Sequence, residues 1–313
     1  MKGILPQIAS IVLVLTLLVT VLGCVRQPEI LRLATTTSLY DTGLWDYLEP
    51  IFEQRYNADL QITAQGTGNA LALGKTGDVD VVAVHDPAQE AAFMDGNYSV
   101  KAQNFNAERV TWAYNYFIIV GPESDPAGIG GGNLTPEQAF QKIQQEGKVA
   151  PEMVKFVSRG DNSGTHGTEK AIWASAGYDY AGDIEGNGMT DGWYLETGKG
   201  MSPTLLVANE KIAYTLTDKG TFLSYKGNLD LVTLLDSGGS LLNVYSAIIC
   251  KNGVNPELAN NLVDFLRADD TQGLIAGYGV SQYGEPLFYP LPAPAGTKPV
   301  PGNSVLKQAG AID

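Results

Sequence analysis

The sequence predicts an α/β protein built as two lobes. Three observations carry this expectation: β-type and helical runs alternate, the length suffices for two cores, and one unusually long β-type run is placed to cross between them. Alternation of this kind indicates parallel βαβ units. Its first part reads as a strand over 30–35, a helix over 43–55, a strand over 60–64, a short helix over 69–73 and a strand over 79–84. The run 111–120, TWAYNYFIIV, is rich in aromatic and β-branched side chains, which suit strands, and ends at Gly121-Pro122. It is the first candidate for a crossover and hinge. Thr135-Pro136-Glu137 opens the next helix, because a proline at the first helical position lacks only an N–H that would be unpaired anyway. That helix runs to about residue 146 and is followed by a strand over 155–158 and a helix starting near Ser163. Strands are then expected over 211–216 and 244–250, and helices over 256–267 and 271–277. The second crossing is placed near 245–249, and the proline-rich stretch 287–302 is expected on the surface without regular structure.

The amino terminus carries a separate message. Lys2 precedes an apolar stretch over 8–22 that stops at Gly23-Cys24, the layout of a secretory signal. A cysteine directly after Val21-Leu22-Gly23 also fits a lipoprotein processing box, in which Cys24 is acylated and residues 1–23 are removed. An uncleaved membrane helix is the alternative, since the run approaches the roughly 20 residues that span a bilayer. Both place Val25 onward outside the cytoplasm on a tether, so the location expected is extracytoplasmic and membrane-anchored. The division expected is a signal peptide at 1–23, a lipidated linker at 24–29, a first lobe from 30–115 with 248–313, and a second lobe from 116–247.

Removing residues 1–23 leaves 290 of 313, enough for two lobes of ordinary domain size. Of the two cysteines, lipidation of Cys24 leaves Cys250 without an intramolecular partner, so the fold is not expected to rest on a disulfide. The net charge of −14 argues against nucleic acid, whose binding needs clustered lysine and arginine to neutralise phosphates. It also repels any anionic ligand, so affinity for one must come from close-range hydrogen bonds and helix ends in a sheltered site.

Three strand-to-helix junctions offer such a site: Ala34-Thr35-Thr36-Thr37-Ser38, Gln65-Gly66-Thr67-Gly68-Asn69, and Ser158-Arg159-Gly160-Asp161-Asn162-Ser163-Gly164-Thr165-His166. Each pairs hydroxyls with a helix start, where unpaired backbone N–H groups and the helix dipole attract anions without a side-chain cation. Small residues let an anion approach the backbone. Thr37, Ser38, Thr67, Ser163 and Thr165 add hydroxyl donors, and Arg159 a planar, permanently charged fork suited to oxyanions. Taken singly, each junction reads as an ordinary helix cap. Their concurrence at the carboxyl ends of parallel strands, where open α/β sheets bind ligands, favours an oxyanion cage.

Thr35-Thr36-Thr37-Ser38 and the run 158–166 resemble the paired signatures of tungstate-binding proteins of ABC importers, and Gly66-Thr67-Gly68 and Asp78-Val79-Asp80-Val81-Val82 fit the same family. The similarity runs from about Leu31 to Tyr278; the linker, the glycine run 130–132 and the proline-rich tail add little. The resemblance implies the two-lobed type II periplasmic-binding-protein fold, with a ligand cleft between lobes joined by two crossover strands. It implies a monomer without cofactor or catalytic residues that binds tungstate, or molybdate, and delivers it to a membrane permease. Carried over, the pocket comprises Thr36, Thr37, Ser38 and Arg159, with Ser163, Gly164 and Thr165 alongside; the junction chemistry adds Thr67 and Gly68 to the expected site. The expected ligand bridges Thr37 and Ser38 on one lobe to Arg159 and Ser163 on the other.

Phosphate-binding proteins of the same fold use a similar arginine, acid, serine-glycine-threonine loop, and Asp161 separates the two readings. Phosphate near neutral pH carries protons and needs an acceptor, whereas tungstate and molybdate carry none and are repelled by one. Asp161 aimed at the ligand favours phosphate; Asp161 paired with Arg159 or capping the next helix favours tungstate. A hydrolase would use Ser163 with His166 or His85, but Gly160-Asp161-Asn162-Ser163-Gly164 is not a G-x-S-x-G elbow. No cysteine or histidine cluster has metal-ligand spacing, and Gly66-Thr67-Gly68 has Leu71 where a dinucleotide fingerprint needs its third glycine. A surface adhesion or structural lipoprotein remains the alternative from another class, and it predicts no ligand-dependent closure.

Overall fold

The computed structural model describes residues 27–236 and 238–291. The expected signal peptide, Cys24 and the tail beyond residue 291 lie outside the described residues. Among those described, no helix is long and apolar enough to cross a membrane.

In the first lobe β1 (Glu29–Thr36) runs parallel to both β2 (Ala58–Gln65) and β3 (Val81–Val84). Helices make the crossovers: α1 (Thr37–Asp41) and α2 (Leu44–Tyr56) lead to β2, and α3 (Thr67–Thr76) leads to β3. Successive side chains of a strand point to opposite faces, and the burial obeys this. Val81 and Ala83 join Leu31 and Leu33 in a core covered by α2, while Val82 and Val84 join Ala34 in a core covered by α3, through Ala70 and Leu71. After α4 (Pro87–Asp95) and the short β4 (Ser99–Val100), the chain enters β5 (Arg109–Pro122), whose 14 residues reach across both lobes.

The second lobe contains α5 (Pro136–Val149), β6 (Phe156–Ser158), α6 (Gly164–Ser175), a π-helical stretch (Tyr180–Gly188), α7 (Met189–Asp191) and β7 (Tyr194–Glu196). It continues with α8 (Met201–Glu210), β8 (Thr215–Asp218), α9 (Lys219–Tyr225) and β9 (Leu231–Leu235). A 3₁₀ turn (Gly239–Leu241) then leads into β10 (Leu242–Cys250), which returns to the first lobe. There α10 (Pro256–Arg267), α11 (Asp269–Gly277), α12 (Val280–Tyr283) and β11 (Tyr289–Pro290) complete the described chain. The start of α5 is fixed by a full capping box between Thr135 and Gln138, with Pro136 just inside the helix.

Strand β5 is the structural link. Residues Arg109 to Tyr116 pair antiparallel with β10, whereas Phe117 to Pro122 pair with β8 on one edge and β9 on the other. Its side chains divide accordingly: Phe117 and Ile119 enter one second-lobe core, Ile118 and Val120 the other. The return passage lies upstream of residues 245–249. Leu241 packs in the second-lobe core and Tyr245 in the first, and Ser246 to Ile249 already pair with β3.

Two sequence expectations are corrected. The strand expected at 211–216 begins at Thr215, because Lys211 ends α8 and Ile212 takes a left-handed conformation (φ 53°) that turns the chain. The bond from Ala213 N to Ala208 O, 2.9 Å, closes that helix end. The stretch from Leu287 was expected to lack regular structure, yet Leu287, Phe288 and Leu291 are buried and Tyr289–Pro290 pair with β5. Proline is tolerated there because β11 is the edge of the sheet, and the Tyr289 ring stacks on Tyr114 at 5.2 Å.

Candidate functional site

Parallel register brings the first-lobe junctions together. Thr36 is opposite Gln65 and Thr35 is opposite Ala83, so β1, β2 and β3 end side by side. A bond from Trp45 Nε1 to Thr35 Oγ1 (3.1 Å) and one from Thr35 Oγ1 to Ala83 O (3.0 Å) fasten this end of the sheet. From the second lobe, the N-terminus of α6 lies against it. A Cβ on Gly164 would stand 2.8 Å from His85 Cε1, and one on Gly167 2.8 Å from Asp86 Oδ2. Glycine at 164 is what lets the two lobes approach this closely.

Thr36 caps α1 by accepting from Leu39 N (3.3 Å), and its hydroxyl is 3.4 Å from that of Ser38. Ser38 Oγ is in turn 3.3 Å from His85 Nε2. Thr37 is half-buried at the first helical position. Thr67, fully buried at the start of α3, has a hydroxyl with no partner among the described residues, and Gly68 faces the Gln89 side chain. Gln89 also reaches the carbonyl of Asn162 across the cleft (3.5 Å).

In the second lobe Arg159 is 3% exposed, a burial that guanidinium groups reach only with partners. Its Nη2 and Nε donate to Asp161 Oδ2 at 2.6 and 3.2 Å, and its Nη1 to Thr165 Oγ1 at 3.4 Å. The other oxygen of Asp161 accepts from Ser163 N (3.2 Å), so both carboxylate oxygens are engaged inside the loop. Ser163 caps α6 by accepting from His166 N (3.3 Å). The loop turns through positive φ at Gly160 and Asn162, and a Cβ on Gly160 would meet Glu196 at 2.7 Å. The charge of Arg159 reaches both lobes: burial raises the pKa values of Asp41 and Asp218, which Arg159 partly offsets, and burial together with Arg159 lowers that of His85.

A buried polar network supports the loop from behind. Ser158 Oγ, Tyr194 OH and Trp173 Nε1 donate to Glu169 at 2.6, 2.8 and 3.1 Å. Burial nevertheless pushes the Glu169 carboxyl up to about 7. His166 Nδ1 accepts from Asn162 N (3.0 Å) and its Nε2 meets Tyr180 OH (2.7 Å); burial lowers its pKa to about 4. Both ring nitrogens of His166 are thus committed away from Ser163 Oγ, and the Ser163–His166 nucleophile–base pair is not formed. Among the described residues no group of three or more histidine, cysteine or acidic side chains is placed to hold a metal ion.

The structure therefore brings Thr36, Thr37, Ser38, Thr67 and Gly68 to the first-lobe face, and Arg159, Ser163, Gly164 and Thr165 to the facing loop. Sequence reasoning missed His85 as part of this site. It directly follows β3, and the carboxyl-end rule applied to the other junctions would have found it. It also missed Asp218 at the end of β8, and the Asn115–Asn243–Tyr245 cluster on the paired strands β5 and β10, whose members lie far apart in sequence.

Comparison with known proteins shows the family. A sequence model described as a PBP superfamily domain matches residues 26–270. The tungstate-binding protein TupA of Peptoclostridium acidaminophilum is 38% identical over 262 residues, covering 82% of this chain and 84% of that protein. The chain belongs to the TupA family of periplasmic-binding proteins. TupA of Campylobacter jejuni is 34% identical over 257 residues, covering 79% of this chain and 86% of its own. The solved structure of the tungstate-binding protein TupA from Desulfovibrio alaskensis G20 aligns with this periplasmic-binding protein at a TM-score of 0.67 and 38% identity, over 84% of this chain and 99% of that one. The mixed α/β architecture is of type II.

Proposed function

We propose that this periplasmic-binding protein captures tungstate outside the cytoplasm and delivers it to the permease of an ABC importer. The observation that carries the reading is Arg159, buried beside the Thr165 hydroxyl and the start of α6 while Asp161 is turned inward to pair with it. The cage thereby offers donors and withholds the free carboxylate acceptor that a protonated oxyanion needs. Molybdate, of the same charge and shape, is the second substrate. Thr36, Thr37, Ser38, Thr67 and Gly68 bind from one lobe, Arg159, Ser163, Gly164 and Thr165 from the other, and closure about β5 and the return to β10 excludes water and strengthens each contact. The protein acts as a monomer without cofactor, tethered by lipid on Cys24 after removal of residues 1–23. The relatives named for tungstate binding support the choice of anion.

Calorimetric titration of the signal-free protein with tungstate, molybdate, sulfate and phosphate, at one pH and salt, tests this. Tight tungstate binding with weak phosphate binding is expected. Tight binding of phosphate alone would overturn the reading and move Asp161 onto the ligand, and no binding of any anion would return the adhesion or structural reading to the front.

A further inference from the structure

We propose that His85 takes up a proton when the oxyanion enters the cleft, so that a buried imidazolium orients Ser38 and supplies part of the charge that holds the ligand. The inference rests on the tungstate-binding reading above. His85 is 3% exposed, and its ring lies between Tyr245 at 5.0 Å and Phe117 at 6.1 Å, against Gly164 of the other lobe. Nε2 is 3.3 Å from Ser38 Oγ. At the other end, Nδ1 has no hydrogen-bond partner among the described residues, and neither has Oδ1 of Asn243. The Asn243 side chain, bonded through Nδ2 to Asn115 Oδ1 and Tyr245 OH, acts to raise the proton affinity of the ring, against burial and Arg159, which lower it.

A neutral imidazole has one N–H and donates at one end only. With that hydrogen on Nδ1, Nε2 accepts the Ser38 hydroxyl, whose hydrogen is then turned away from a ligand. With it on Nε2, Ser38 O–H is released, but Nδ1 and Asn243 Oδ1 are both left as buried acceptors without a donor among the described residues. The imidazolium carries an N–H at each end: Nε2 donates to Ser38 Oγ, which leaves the Ser38 O–H for an oxyanion oxygen, and Nδ1 becomes a donor in place of a buried acceptor without a partner. The titratable groups facing the ring are the Arg159 guanidinium, the Asp86 carboxylate and the Tyr245 hydroxyl. Burial first, and Arg159 second, lower the His85 pKa to about 4, so the ring is neutral at pH 7 in the protein alone. A dianion beside Arg159, whose charge Asp161 already balances in part, reverses the sign of the field on the ring. The proton comes from solvent and no covalent bond other than N–H changes.

Histidine ring ¹⁵N NMR is decisive, because the chain holds only His85 and His166. At pH 7 the protein loaded with tungstate is expected to show one ring protonated on both nitrogens, and the unloaded protein none. Titrations at pH 6.5 to 8, in buffers of different ionisation enthalpy, are expected to give uptake of up to one proton per tungstate. Affinity should rise by up to about tenfold per pH unit as pH falls. His85→Gln should abolish the uptake and flatten the pH profile. Should that variant not fold, His166→Asn assigns the remaining ring. Two neutral histidines in the loaded protein, or uptake retained in His85→Gln, would overturn the proposal while leaving tungstate binding intact. Failure of the unsubstituted protein to bind tungstate would reject the functional reading and this inference with it.

Discussion

Arg159 illustrates how much one residue decides here. A guanidinium 3% exposed is held by Asp161 and Thr165, and it is the one cation placed by the described loop at the meeting of the lobes. Truncating one partner of a buried, hydrogen-bonded charge pair costs about 2–5 kcal/mol. Arg159→Ala should therefore weaken tungstate binding by roughly 30-fold to several thousand-fold in Kd, more than any single hydroxyl deletion. Titration of the two proteins under one condition checks this, and equal affinity would remove Arg159 from the site. Thr67 makes a contrasting case. Its buried hydroxyl has no partner among the described residues, which costs stability in the protein alone and, on the proposed function, would supply a donor to the ligand. Thr67→Val keeps the shape, so it should leave unliganded stability unchanged or higher while lowering tungstate affinity by about 1–3 kcal/mol. Denaturation and titration of the same sample separate the two effects, and unchanged affinity would mean that Thr67 is packing alone.

At the level of elements, α6 couples the loop that carries Arg159 to the second-lobe core. Its first turn is capped by Ser163, and one turn further Glu169 receives Ser158 from β6, Trp173 from α6 and Tyr194 from β7. Burial raises the Glu169 pKa from 4.5 to about 7. A carboxyl whose folded value is raised contributes stability that is complete below its unfolded value and lost as pH rises through the folded value. Relative to Glu169→Gln, the unsubstituted protein should thus lose up to about 3 kcal/mol of stability between pH 4.5 and pH 8, given 1.36 kcal/mol per pKa unit. Denaturant unfolding of both proteins across that range measures the difference. A parallel pH dependence would show that Glu169 stays ionised.

For the whole molecule the net charge of −14 opposes the ligand that the cleft is built to accept. Salt screens this long-range repulsion, with a Debye length of about 10 Å at 0.1 M, but acts little on a buried site. The association rate for tungstate should therefore rise with ionic strength while the dissociation rate changes little, the reverse of the usual steering of an anion to a basic protein. Stopped-flow fluorescence at several concentrations of a non-coordinating salt tests this. A rate that falls with salt would mean that a local positive field dominates the approach.

The sequence by itself determined the α/β architecture, because β-branched and aromatic runs such as 111–120 and helix starts such as Thr135-Pro136-Glu137 are local properties written in consecutive residues. It also determined the chemical character of the site, since Thr36 to Ser38 and Arg159 to Thr165 are contiguous segments whose hydroxyl, glycine and guanidinium content names an oxyanion before any contact is known. Only the tertiary structure decided where Asp161 points, that β11 completes the edge of the sheet, and that His85 stands between Ser38 and Gly164. Those outcomes depend on pairings between residues separated by up to 175 positions, such as Tyr289 with Tyr114, and on burial that shifts ionisation. Neither long-range register nor dielectric environment is encoded in any short window of residues. Both arise when the two lobes close the space around Arg159.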